Sequence, residues 1–98
     1  MRSKNSKPLT RAESEHLARV KMAGCVICDA GPPNEAHHIE QGNHFATVAL
    51  CADCHRGSFN GIHGQKRMWL IRKWNEIDAL NETIRRVNEM KDNERKAA

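Results

Sequence analysis

Cys25-Val26-Ile27-Cys28 and, 22 residues further on, Cys51-Ala52-Asp53-Cys54 are the stretches that decide how this chain folds. Each pair has the spacing of a metal-binding knuckle. Brought together, the two present four thiolates in a tetrahedron, the closed geometry of structural zinc with Zn–S distances of about 2.3 Å. One such pair alone could serve redox chemistry in a thioredoxin-like fold, but no βαβ pattern surrounds either pair, and two pairs in 98 residues read as one zinc site. Folding and zinc binding are then coupled, because the four ligands converge only in the folded chain.

The segment between the pairs reads as a β-hairpin over about residues 36–50. Gly31-Pro32-Pro33-Asn34 leads into Ala36 to Ile39, Gln41-Gly42-Asn43 makes a turn, and the short, partly β-branched Thr47-Val48-Ala49-Leu50 delivers the second pair. On the N-terminal side, Thr10-Arg11-Ala12-Glu13 has the form of a capping box and opens a helix that turns Leu17, Val20 and Met22 toward the core and stops at Gly24. On the C-terminal side, Gly57, Gly61 and Gly64 allow only a short or interrupted helix. Leu70, Trp74, Ile77, Leu80, Ile84 and Val87 then recur every three or four residues, which predicts one amphipathic helix from Gln65 to about Lys91. Trp69 and Trp74 could stack on bases, but their helical spacing favours core packing. The expected organisation is a basic, disordered tail over 1–9, a single domain over 10–91 with its zinc and histidine core at 25–64, and a frayed tail over 92–98. The fold class is α+β.

At this length one modest core is all the chain can build, and small domains commonly supplement such a core with metals. The formal net charge is +4, and of the 16 lysines and arginines only Arg56 lies between Cys25 and Gly64, beside the acidic Asp29, Glu35, Glu40 and Asp53. Basic flanks around a mildly acidic centre suit a protein that holds phosphates with its arms and cations at its middle. Charge alone does not establish this, because solvated helix faces have the same composition. No stretch approaches the roughly 20 apolar residues of a membrane span, and the polar Met1 to Thr10 segment lacks the apolar centre of a signal peptide. A cytoplasmic location is expected, where paired cysteines more often bind metal than form disulfides.

Five of the six histidines, His37, His38, His44, His55 and His63, fall within this central segment, whereas His16 lies on the first helix as a surface or packing residue. Imidazole is both a divalent-metal ligand and a general base with a pKa near 6.5, the two functions that phosphodiester hydrolysis needs. Any one histidine is more often a hydrogen-bonded structural residue. Five around a small zinc framework weaken that reading.

His37-His38-Ile39-x-Gln41-Gly42, Leu50-Cys51-Ala52-Asp53-Cys54-His55-x-Gly57 and Gly61-Ile62-His63-Gly64 together resemble the HNH family of ββα-metal (His-Me finger) endonucleases, and most closely its phage and prophage branch, the recombination enhancement function (Ref) nucleases. The resemblance runs from about Cys25 to Gly64 and more weakly into the last helix. It implies a ββα-metal fold and metal-dependent hydrolysis of DNA in a bacterial host cell, linked to recombination or DNA processing. It further implies that His38 is the general base, that His37 and His63 bind a catalytic divalent metal, and that His55 is a further ligand or orienting group. That metal would be Mg2+, Mn2+, Ni2+ or Zn2+, and an imidazole-rich site suits transition metals better than magnesium. The implied partners are DNA and a RecA-type recombinase filament, with the chain a monomer or homodimer. Two departures stand out. The family's central Asn is missing, with Ala46 and Thr47 in its neighbourhood, so backbone groups or Thr47 would orient His38, and the N-terminal extension is shorter than such proteins can carry.

Two readings from other classes compete with the enzyme. One is a zinc-stabilised DNA-binding module without cleavage activity, and the other is an adaptor that docks partners on an exposed apolar stripe of the last helix. His38→Ala would abolish cutting by an enzyme and barely change a binder, and an adaptor has no use for His37-His38.

Overall fold

A computed structural model describes residues 7–97, so most of the expected N-terminal tail and Ala98 lie outside the described residues. The elements run α1 (Arg11–Met22), β1 (Glu35–His38), β2 (Thr47–Leu50), α2 (Ala52–Arg56), α3 (Arg67–Arg72) and α4 (Glu76–Ala97). They make a small α+β unit around a two-stranded antiparallel sheet, with a cluster of four cysteines at one end of the hairpin.

Helix α1 begins where the capping box places it. The Thr10 hydroxyl accepts from Glu13 N at 3.1 Å while Glu13 Oε1 accepts from Thr10 N at 2.8 Å. It ends at Ala23, and Gly24 follows with φ +83°, the left-handed conformation that glycine adopts without cost. Asn34 secures that end by accepting from Gly24 N at 2.7 Å. Val20 is fully buried and Leu17 half-buried, but Met22, expected to face the core, is 56% exposed.

The hairpin pairs Glu35 with Leu50, Ala36 with Ala49, His37 with Val48 and His38 with Thr47. All four residues of β2 are buried. Its outer edge is covered twice at Ala49, whose carbonyl accepts from Val26 N at 3.1 Å and whose N–H is donated to the Thr83 hydroxyl of α4 at 3.2 Å. Thr83 in turn donates to Ala79 O, so this buried hydroxyl is satisfied on both sides. The core joins Val20, Val26, Val48, Leu50, Trp69, Ala79 and Val87 with the buried cysteines Cys25 and Cys54.

The predicted single helix over 65–91 is two helices. Lys73 adopts φ +61° and ends α3, and Asn75 and Asp78 then form a reciprocal cap, Asn75 N to Asp78 Oδ2 at 3.0 Å and Asp78 N to Asn75 Oδ1 at 2.9 Å, that starts α4. The break changes the face assignment. Trp69 is inserted into the core, its Nε1 donating to Cys54 O at 2.9 Å, which turns Leu70 outward to 69% exposure, and Ile77 is 65% exposed. The inward face of α4 consists of Ala79, Thr83 and Val87, with Leu80 and Ile84 half-buried. Trp74 is half-buried under Arg72, whose guanidinium sits 4.1 Å from the ring centre. Nor does α4 stop at Lys91. It continues through Ala97, held by the bidentate Arg19 to Glu94 pair that ties it to α1 and by Arg95 to Asp92. No helix among the described residues is long and apolar enough to cross a membrane.

Candidate metal centres

The four cysteines converge as their spacing predicts. Their sulfurs all lie within 4.8 Å of one another, and Cys28 Sγ is 3.6 Å from Cys51 Sγ. A tetrahedral zinc thiolate set would separate its sulfurs by about 3.8 Å. Local structure prepares each half. In the first knuckle Asp29 N bonds to Cys25 O and Cys25 N to Ala30 O, and in the second Cys51 is the N-cap of α2 and accepts from Cys54 N. Burial pushes the Cys28 thiol up to about 11 and the Cys54 thiol higher still, the latter also through the neighbouring Cys25. At Cys25 burial acts the same way, but backbone N–H groups of Cys51, Cys28 and Ile27 outweigh it and hold the thiol below its usual value. Four thiols this close cannot ionise together without a cation among them. The donor set therefore fits a closed zinc site.

The second centre is formed by His37, His55 and His63, whose ring nitrogens also lie within 4.8 Å of one another. Ring centres are separated by 5.0 Å (His37 and His55), 5.1 Å (His37 and His63) and 4.9 Å (His55 and His63). His37 comes from β1 and His55 from α2, directly after the last cysteine. His63 comes from the glycine-rich loop, where His63 N bonds to His55 O at 3.1 Å and Ile62 N to Cys54 O at 2.9 Å. That loop folds tightly onto itself. A side chain on Gly61 would place its Cβ 2.6 Å from Gly57 N, so only glycine fits there.

Two carboxylates complete the constellation, and neither was singled out in the sequence as a site residue. Glu76, the first residue of α4, receives His37 Nε2 at 2.6 Å, and Glu35 receives His55 Nδ1 at 2.7 Å. Arg56 grips Glu35 through Nε and Nη2 and, with His55, lowers its carboxyl to about 2. Carboxylates only accept, so His37 carries its proton on Nε2 and His55 on Nδ1. The remaining nitrogens, His37 Nδ1 and His55 Nε2, then lie 3.2 Å apart, both without a proton in these tautomers. Such a pair repels unless a proton or a metal ion lies between. Imidazoles oriented by carboxylates on their far nitrogens are the usual outer shell of a metal site. Glu35 was within reach of sequence reasoning, because residues two apart on a strand share a face. Glu76 was not, because it lies 39 residues from His37 and arrives there only through packing.

His38 does not join this group. Successive side chains on a strand point to opposite faces, and His38 meets His44 instead, Nε2 to Nδ1 at 3.0 Å with the rings 86° apart. Burial, then the nearby His44 and His37, lowers the His38 pKa despite a hydrogen bond to the Ala36 backbone. Of the two groups expected to orient His38, backbone or Thr47, the Ala36 backbone bonds to it, whereas the Thr47 hydroxyl donates to His44 O at 3.1 Å. Its effect on His38 is thus indirect, through the residue that contacts the ring. His16 packs against Phe45 with ring centres 5.2 Å apart, as a packing residue does.

No family model, no curated protein and no solved structure matches this chain.

Proposed function

We propose that the chain is a metal-dependent endonuclease that hydrolyses DNA phosphodiester bonds, with structural zinc on Cys25, Cys28, Cys51 and Cys54 and a second divalent metal on His37, His55 and His63. The observation that carries this reading is the three-histidine cluster. Its two facing nitrogens both present lone pairs, and carboxylates on the far side of each ring hold that tautomer.

Three neutral imidazoles leave coordination positions open, in contrast to the closed cysteine set. A divalent ion held there would neutralise charge on the phosphate and on the departing alkoxide. The chain's own residues do the rest. Glu76 and Glu35 keep His37 and His55 in the ligating tautomer, Arg56 keeps Glu35 ionised and in place, and the Gly57 to Gly64 loop presents the exposed His63 at the rim. The proton acceptor for the attacking water in this reading is His38, a role that comes from the family resemblance, since its ring meets His44 and not the three-histidine centre.

The test is cleavage of supercoiled plasmid and of single-stranded DNA by zinc-loaded protein with added magnesium, manganese, nickel or EDTA. Cutting is expected to require the added metal and to be lost in both His37→Ala and His38→Ala. A second bound metal should also disappear from His37→Ala while the zinc remains. DNA binding with no cutting under any metal would leave the zinc-stabilised binding module as the better description.

A further inference from the structure

The flanks of the chain are basic in sequence, but the fold neutralises most of their arginines. Arg11 pairs with Glu15, Arg19 with Glu94, Arg85 with Glu82 and Glu89, Arg86 with Glu82 and Asp29, and Arg95 with Asp92. Among the described residues Lys21, Lys91 and Lys96 also make no ion pair, but they are spread over α1 and α4, whereas one short segment gathers four such cations. Lys66, Arg67, Arg72 and Lys73, at the two ends of α3, are all exposed, and none makes an ion pair among the described residues. From His63 to Glu76 the only acidic residue is Glu76, and His37 occupies it.

The position of this segment is set from both sides. Lys66 is three residues after His63, and Lys73 is three residues before Glu76, so each can lie at most about 11 Å along the chain from a member of the histidine centre. The segment is also rigidly attached. Lys66 N bonds to Gly61 O, Arg67 N to Phe59 O, and Trp69 Nε1 to Cys54 O inside the core. Backbone strain adds an independent sign. Lys66 has φ +59° and Lys73 φ +61°, a region where glycine or asparagine sits more comfortably, by on the order of 1 kcal/mol. Lysine at both places therefore puts charge where conformation disfavours it, and such strain concentrates at working surfaces.

We propose that α3 is the DNA-backbone clamp of this chain: Lys66, Arg67, Arg72 and Lys73 hold phosphates flanking the bond presented to the histidine centre. This rests on the nuclease reading for its choice of polyanion. The contacts are to the backbone and independent of sequence, so they appear as salt dependence of binding, about 0.9 in the slope of log K against log salt per phosphate neutralised on duplex DNA.

The experiment measures fluorescence anisotropy of a labelled DNA duplex with the zinc-loaded full chain between 50 and about 200 mM salt. Changing Lys66, Arg67, Arg72 and Lys73 together to glutamine should reduce the slope by about 3 to 4 and weaken binding on the order of a hundredfold at the low-salt end. Lys66→Asn with Lys73→Asn keeps a residue suited to the left-handed backbone. It should melt at the same temperature as the native chain or higher, yet lose about 2 in slope. Lys91→Gln with Lys96→Gln, two exposed cations on α4, should leave the slope unchanged. An unaltered slope in the quadruple variant overturns the proposal, as does an equal loss in the α4 pair, which would make the attraction diffuse. So does a dimer in sedimentation that Leu70→Ser with Ile71→Ser dissociates while the quadruple variant still binds DNA normally, because the face would then serve a second copy. The clamp and the nuclease reading fail separately. Binding that depends on α3, without cutting under any metal, removes the nuclease and keeps the clamp, whereas His37-dependent cutting with an unaltered slope and KM in the α3 variant does the reverse.

Discussion

His37 shows how much one side chain's surroundings can specify. It is 5% exposed, its Nε2 is committed to Glu76 and its Nδ1 faces His55. The carboxylate sets the tautomer, and the tautomer decides which nitrogen is free to ligate. Glu76→Ala should therefore lower affinity for the second metal about 10- to 100-fold, read by titration calorimetry with nickel or manganese, while zinc content stays at one. Glu76→Gln keeps an acceptor oxygen and should lose less. Equal affinity in Glu76→Ala and native protein would mean that the carboxylate does not set the ligating tautomer of His37. The neighbouring His38 makes the complementary point: adjacent in sequence, the two histidines are separated by strand alternation and acquire different partners.

At the scale of elements, α4 is the part that ties the molecule together. Its residue Arg86 reaches Ala23 O and Gly24 O at the end of α1 and Asp29 in the first cysteine knuckle, while also pairing with Glu82. Arg85 and Arg86 hold the Glu82 carboxyl down at about 2 from an ordinary 4.5. A carboxylate depressed in the folded state stabilises fully above its unfolded value and loses that contribution as pH falls toward the folded one. Glu82→Gln should thus be less stable than the native chain at pH 6, and the gap in denaturant midpoint should close between about pH 4.5 and 2. Because the fold rests on zinc, the comparison is made where both proteins still carry the metal, and the onset of the narrowing as pH falls toward 4.5 is the readout. A gap independent of pH would show that Glu82 acts through packing. The split between α3 and α4 also belongs to this scale. The apolar period runs unbroken through residues 70–87, and the interruption is written instead in Asn75 and Asp78, whose cap competes with continuing the helix.

Across the whole molecule, the cysteine cluster and the core are one body. Cys25 and Cys54 are buried among Val20, Val26, Val48 and Leu50, and Trp69 bonds to the Cys54 carbonyl, so losing the cluster would disturb the centre of the fold. Structural zinc in small domains contributes about 10 to 16 kcal/mol of apparent binding free energy, comparable with the entire stability of a chain this size. Removing zinc with a chelator should abolish the native near-ultraviolet circular dichroism of Trp69 and much of the helical signal, and returning zinc should restore both. Cys54→Ser should behave like the stripped protein. Retention of the native spectrum after complete removal would mean that the apolar core suffices alone.

The cysteine knuckles, the capping box at Thr10, the hairpin and its turn were legible from the chain because each is written over a few adjacent residues whose chemistry acts locally. The three-histidine centre was legible as residues but not as geometry: His37, His55 and His63 were identified, yet neither the separation of His38 nor its contact with His44 was anticipated. Glu76 beside His37, and the pairs of Arg19 with Glu94 and Arg86 with Asp29, lay beyond reach. Each depends on segments dozens of residues apart meeting, and that meeting is selected by packing free energy summed over the whole core rather than by any local preference.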